Sequence, residues 1–397
     1  MPSNRSFIIS NITVYAENQT YQNGYIKIIN GKIAAVGPVS EITEADKSKI
    51  LTLSPAYSLI PGAIDVHIHG VAGADTMDAT EEALETMANA LPQEGTTSFL
   101  ATTMTQTKAA IEQALTNVAQ FVEKKQAVGK AEIIGIHLEG PFISPKRAGA
   151  QPPGQIIEPD LALFKRWQEL AQGSIKLVTL APEEANGLAF ISYLKETGVT
   201  ASIGHTDATY QEVDDAIKAG ASHVTHLFNG MRGLHHREPG VVGAALLRNE
   251  LFVEMIVDGI HVRPEMIQLT YQQKTSKKVI LITDAMRAKC LKNGTYDLGG
   301  QEVQVDDTKA TLADGTLAGS ILKMKDAVKN MLSYTNCNLE EIIDMTAVNP
   351  AKQLNMFDRK GSLAVGKDAD FVILDDHLNV IMTFCHGKLA YQKEEVV

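Results

Sequence analysis

The sequence predicts an α/β protein: a (β/α)8 TIM-type barrel with a small β-sandwich built from both chain termini. Three observations lead there. Eight short apolar or β-branched runs recur through the middle of the chain, namely AIDVHIHG, TSFLATT, EIIGIHLEG, KLVTLAP, TASIGH, HVTHLFN, LFVEMIVDGIH and KVILITDA. Most gaps between them carry helical patterns, such as EEALETMANALPQEG and TYQEVDDAIKAG, and strands alternating with helices define βαβ units around a parallel sheet. The two ends of the chain instead read as strands alone. A doubly wound open sheet is the alternative for the middle; a count of eight favours closure into a barrel.

At the amino end, SFIISNITVYA, GYIKIINGKIAAVG and KILTLSP are short strands, broken by Asn-Gly turn signals. At the carboxyl end, DADFVILDD, VIMTFCHGK and KLAYQ are similar, and NGKIAAVG resembles HGKLAYQ in pattern. The termini are therefore expected to meet in one small β domain, residues 1–58 with 361–397, flanking a catalytic barrel over 59–360.

A chain of 397 residues is long enough to bury a substantial core, and its 44% hydrophobic and 21% charged residues are those of an ordinary soluble protein. No apolar run approaches the roughly 18 residues of a membrane span. The opening MPSNRSFIIS lacks the apolar core and cleavage site of a signal peptide. Cys290, Cys337 and Cys385 are odd in number and widely spaced, which implies a reducing compartment and, with the rest, the cytoplasm. The formal charge of −11 argues against a nucleic-acid surface. An anionic substrate would need a local cluster of cations.

In a barrel the chemistry collects at the carboxyl ends of the strands. Those ends carry His67 and His69, Glu139, His205, His226 running into Asn229, His261, and Asp284. His67 and His69 are two apart, so their side chains share one face of a strand and can both point into the barrel mouth. A lone strand histidine is usually a satisfied core residue. A His-x-His pair with a Glu, two more His and an Asp at other strand ends is a metal site, with ligands that suit divalent zinc, iron, cobalt or manganese. His137 shares the parity of Glu139 and is placed one layer deeper, as a core or ligand-orienting group. His223 is expected to face away from His226. The ligands exceed one tetrahedral shell, so either two metals share Glu139 as a bridge, or one is bound and the other groups serve catalysis. Met104, Met231 and Met286 read as packing.

The motifs PGAIDVHIHG, GIHLEGPFI, SIGHTDA, THLFNGMRGLHHREPG, DGIHV, LITDAM, TLAGSIL and GSLAVGKDADFVIL resemble the amidohydrolase superfamily, most closely its family of N-acetylglucosamine-6-phosphate deacetylases. The resemblance implies hydrolysis of the acetamide of N-acetyl-D-glucosamine 6-phosphate to the free amine and acetate, in amino-sugar catabolism and cell-wall sugar recycling. It implies Glu139, His205 and His226 as metal ligands, with His67 and His69 marking the branch able to hold a second ion, zinc or iron being the expected metals. It implies Asp284 as the catalytic carboxylate and His261 as the group against the acetamido carbonyl. Asn229, Gly230 and Arg237 match the phosphate contacts, with Arg237 reaching the site of the other subunit in a homodimer; His236 is a candidate helper there. Gln151, where many members have His, falls in the substrate-binding segment. A divalent metal can bring the pKa of water to about 7, supplying hydroxide to attack the amide. Asp284 would take the proton and return it to the leaving amine.

TLAGSIL is either a tight loop near the site or a helix cap through Ser320. Deacetylation of the galactosamine epimer is the nearest alternative reaction. Ring-opening amide hydrolases of the superfamily commonly use a carbamylated lysine after strand four, and KLVTLAPEE has none there. A sugar-phosphate sensor on an inactive barrel would not need Asp284.

Overall fold

A computed structural model describes residues 6–43, 46, 50–125 and 128–394. Its centre is a parallel sheet of eight strands in sequence order: β1 (Ala63–Ile68), β2 (Thr96–Thr103), β3 (Glu132–Glu139), β4 (Ile175–Leu180), β5 (Thr200–Ile203), β6 (His223–Val224), β7 (Phe252–Ile256) and β8 (Val279–Ile282). The sheet closes where the chain leaves β8. Asp284 N–H donates to the His67 carbonyl at 2.8 Å, and Ala285 bridges to Ile68 in parallel. The barrel is therefore closed rather than doubly wound.

Helices pack around it because their apolar stripes have nowhere else to go. Glu81–Ala90 starts at Thr80, whose hydroxyl accepts from Ala83 N–H, and buries Leu84 and Met87. Tyr210–Ala219 opens with a capping box between Thr209 and Glu212 and buries Val213 and Ala216. Phe142, Phe164, Trp167 and Phe190 interlock between β3 and the next two helices, with ring centroids 5.0–5.6 Å apart; each fully buried aromatic or aliphatic side chain contributes about 1.5–3 kcal/mol. Among the described residues, no helix is long and apolar enough to cross a membrane.

The terminal strands form a second sheet. Ser6–Tyr15, Thr20–Ile29 and Lys32–Pro38 make an antiparallel meander. Ser6–Tyr15 also pairs in parallel with Ser58–Pro61, which leads antiparallel through Phe371–Leu374 and Val380–Cys385 to Lys388–Gln392. The rings of Phe7 and Phe384 meet at 5.5 Å although three strand pairings separate them in the sheet. The sheet thus folds over its own core, as a sandwich does. The expected boundary at 58/59 falls inside the strand Ser58–Pro61.

Sequence patterning did not anticipate the small antiparallel sheet Gly294–Leu298, Gln301–Val305 and Ala310–Thr311, inserted after β8. Its Leu298 reaches the barrel mouth. TLAGSIL is the loop of the two expected readings. Ser320 Oγ donates to the Thr283 carbonyl at 2.5 Å and accepts from Leu322 N–H, while the helix Met324–Tyr334 begins later, with Lys323 at its cap.

Candidate active site

Two local devices deliver the polar groups to the barrel mouth. On β1, alternation turns Asp65, His67 and then His69 to the same side; all three are buried. Glu139 is the last residue of β3. His205, His226 and Asp284 each lie two residues past the end of β5, β6 and β8, with φ of 47°, 28° and 47°. A left-handed backbone is uncommon for residues other than glycine and concentrates at functional sites. Here it turns three strand exits inward.

The side chains converge on Glu139. Its Oε1 lies 3.2 Å from both His205 Nε2 and His226 Nε2, and those two nitrogens are 3.1 Å apart. Its Oε2 lies 3.1 Å from His69 Nε2. Asp284 Oδ1 faces His67 Nε2 at 3.4 Å and His69 Nε2 at 3.3 Å. Of the groups among the described residues that could hold a metal ion, two share Glu139: His67–His69–Glu139 and Glu139–His205–His226. The fit is chemical as well as geometric: the ligand atoms are imidazole nitrogens and carboxylate oxygens, and buried His67 Nε2 has no hydrogen-bond partner among the described residues. The lining of the cleft includes no Lys or Arg.

The electrostatics point the same way. Burial would push the Glu139 carboxyl up, yet the surrounding imidazoles of His67, His205 and His226 hold it well below the ordinary range. Burial likewise opposes ionisation of Asp284, and His67 and His69 outweigh it. Burial disfavours charge on His69, but hydrogen bonds to Asp284 and Glu139 raise it to about 10. These carboxylates demand positive charge at the mouth, which a divalent cation would supply. His137 is the contrast: burial, then the neighbouring His67, lower it to about 3. Its Nε2 bonds Thr179 Oγ1 at 2.7 Å and its ring lies against His67.

The cleft above the cluster has a volume of about 250 Å³ and is lined by Gln151, Asn229, Gly230, His261 and Asp284, together with Met104, Leu298 and Thr316, Leu317 and Gly319 of the TLAGSIL loop. Gln151 is tied to the cluster, donating through Nε2 to Glu139 Oε2 at 2.9 Å and accepting from Thr105 N–H at 2.8 Å. His261 is clamped by Asp258, whose carboxylate takes its backbone N–H at 2.8 Å and its Nδ1 at 2.6 Å. That leaves Nε2 for the cleft. Arg237 is not part of this lining; it is exposed and donates to His236 Nε2 at 2.7 Å.

Sequence reasoning missed three supports of the site, of which Glu254 and Asp65 are buried and Asp258 is partly exposed. Glu254 on β7 faces His67, His223 and the His226 backbone. Its signal was a lone charge inside the apolar run LFVEMIV. Asp65 accepts from Thr283 Oγ1 at 2.6 Å and from His67 N–H at 3.2 Å, and it shares the parity already read for His67 and His69. Asp258 stands three residues before His261, a spacing suited to an Asx-type turn. His223 does point away from the Glu139 cluster, to Glu254 and Gln353.

A closed barrel with a His-x-His pair on its first strand and a Glu, two His and an Asp at later strand ends defines a class of hydrolases. The sequence signature of the amidohydrolase family matches residues 58–390, and the chain belongs to that family. It is 51% identical to an N-acetylglucosamine-6-phosphate deacetylase of Bacillus subtilis (strain 168) over 98% of both chains. It is 38% identical to an N-acetylgalactosamine-6-phosphate deacetylase of Escherichia coli O157:H7, over 92% of this chain and 94% of that one. A solved structure of the Mycobacterium smegmatis N-acetyl-D-glucosamine-6-phosphate deacetylase, an alanine variant in complex with N-acetyl-D-glucosamine-6-phosphate, superposes with a TM-score of 0.91. It is 31% identical, with 98% of this chain and 100% of that chain covered. Within the amidohydrolases the chain groups with the N-acetylglucosamine-6-phosphate deacetylases, and it is a hydrolase.

Proposed function

We propose that the protein hydrolyses the acetamide of N-acetyl-D-glucosamine 6-phosphate, releasing acetate and D-glucosamine 6-phosphate. The observation that carries this reading is the convergence of two imidazole–carboxylate groups on Glu139, with Asp284 beside them and His261 across the cleft. Glu139, His205 and His226 would hold one divalent ion, and His67 and His69, with Glu139 shared, a second; zinc or iron suits this nitrogen–oxygen set. Such an ion supplies Lewis acidity and makes water acidic enough to lose a proton near neutral pH.

The chain's own residues do the rest. Asp284, held ionised by His67 and His69, takes the proton of the attacking water and returns it to the departing sugar amine. His261, fixed by Asp258, places a ring nitrogen against the acetyl carbonyl, where negative charge develops. Asn229 and Gly230 contact the phosphate. The described lining of the cleft has no Lys or Arg to meet a phosphate, and Arg237 of the partner subunit in a homodimer would close that gap with a planar fork of donors. Anchoring the phosphate holds the acetamido group in place for attack. The gluco configuration is preferred to its galacto epimer because the 51% identical relative is named for the former and the 38% identical one for the latter.

The test is acetate release by the metal-loaded protein, with Asp284→Asn alongside. The expected result is release by the parent, and loss of release with retained substrate binding in the variant. Binding of the sugar phosphate without any acetate from the parent would refute the reading.

A further inference from the structure

Below the metal-ligand cluster, the barrel interior contains two carboxylates that the chemistry above does not use, Asp65 and Glu254, and of these Glu254 meets the ring of a ligand histidine. Glu254 lies in the middle of β7 and is 0% exposed. Barrel interiors are normally filled by layers of branched apolar side chains, and a buried charge is costly unless it is fully hydrogen-bonded. Glu254 is. Its Oε1 faces His223 Nε2 at 3.0 Å. Its Oε2 faces His67 Nδ1 at 3.0 Å and accepts the His226 backbone N–H at 3.1 Å. His223 is in turn anchored through Nδ1 to Gln353 Oε1 at 3.1 Å, on the helix Asn349–Gln353. A polar column thus runs from the far helix through the barrel to a ligand histidine.

The column has a consequence for His67. A carboxylate oxygen only accepts, so a neutral His67 must carry its proton on Nδ1. Nε2 is then left with a free lone pair, and it is the nitrogen that faces Asp284 and Glu139. Outer carboxylates that fix the tautomer and ring orientation of ligand histidines are a recurring device of metal sites. The same oxygen also holds the His226 backbone, in its left-handed conformation, so one side chain supports ligands of both halves of the cluster.

We propose that Glu254 is a positioning residue that fixes the Nδ1–H tautomer of His67 and thereby builds the His67–His69–Glu139 half of the metal site. The inference rests on the two-ion reading above. The other half depends on it less, because Glu254 touches only the backbone of His226 and neither Glu139 nor His205.

The experiment compares the parent with Glu254→Leu, which fills the space without an acceptor, and Glu254→Gln, which keeps one. Zinc binding is measured by titration calorimetry and by elemental analysis after dialysis. The imidazole tautomers are read by nitrogen-15 NMR of histidine-labelled, metal-stripped protein as pH is raised until His67 is neutral, with the His67 signal assigned by its absence in His67→Asn. The parent is expected to hold two ions and to show His67 protonated on Nδ1. Glu254→Leu should keep one ion and lose the Nδ1–H signature. Glu254→Gln should keep the tautomer but hold the second ion about 10–100-fold more weakly. Parent-like zinc affinity in either variant, or an unchanged His67 tautomer in Glu254→Leu, would overturn the proposal. A parent with a single ion would refute the two-ion reading alone, and the tautomer would still decide the role of Glu254. If Glu254→Leu fails to fold, the zinc affinity of Glu254→Gln decides it.

Discussion

Strand β3 starts at Glu132 and ends at Glu139, and both carboxylates sit in ionic clusters of similar make-up. Glu132 meets Asp368, Asp370 and His386 where the barrel faces the terminal sheet, and Glu139 meets four histidines at the mouth, two of which also face Asp284. Both are held below the ordinary carboxylate range against the cost of burial. They differ in what neutralises them. At the lower end, Lys360 reaches Glu132 at 2.6 Å, Arg359 reaches it at 3.0 Å, Arg359 also bonds Asp368 at 2.9 Å, and Lys32 bonds Asp368 at 2.6 Å. Lys360 also contacts Asp370. Three carboxylates meet three permanent cations, and the account closes within the chain. At the mouth, the carboxylates meet only imidazoles, whose charge is conditional. A constellation of acids and histidines therefore reads as a metal site only after the neighbouring lysines and arginines have been counted.

If that contrast is right, the two glutamates should fail in opposite ways. Glu139→Gln removes the residue shared by both ligand groups. It should abolish acetate release and strip the bound metal while leaving the circular dichroism spectrum unchanged, as elemental analysis and an acetate assay would show. Asp284→Asn removes the proton acceptor and should lower kcat by about 10²–10⁴-fold, with substrate affinity retained in calorimetry. Glu132→Gln should leave kcat and metal content alone but cost about 3–5 kcal/mol of stability, the usual result of breaking a buried ion pair, visible as a lowered Tm. A drop in kcat with unchanged Tm in this last variant would erase the distinction between the two ends of the strand.

The smallest effect is in pH. Glu132 titrates lower in the folded protein than its ordinary value of 4.5, so its contribution is complete above that pH and is lost as pH falls through the folded value. The Tm gap between parent and Glu132→Gln should be full at neutral pH and shrink below the ordinary value. A gap that grew on acidification would reverse the assigned sign.

The same contrast explains what the sequence could and could not disclose. Barrel strands and the pairing of His67 with His69 follow from local periodicity, so they were legible. His205, His226 and Asp284 were legible as strand-end residues, though parity plays no part in them; a left-handed backbone two residues past the strand turns each inward. The supports of the site were not legible. Glu254 meets His67 across 187 residues of chain, and Gln151, read as a substrate contact, is also tied to Glu139 by a hydrogen bond. Arg359 and His386 reach Glu132 from more than 200 residues away. No local pattern encodes such meetings. The sheet inserted after β8 is different: Tyr296 and Leu298, then Val303 and Val305, do alternate with polar residues on either side of Gly299–Gly300, so its signal was present and was passed over.

The central claim is that the mouth cluster works by holding a divalent cation that the chain itself cannot replace. Its most direct test is acetate release from N-acetyl-D-glucosamine 6-phosphate by one preparation, measured after chelation and again after readdition of zinc or iron. The account predicts loss on stripping and recovery on reloading. Undiminished release from protein shown to be metal-free would contradict it.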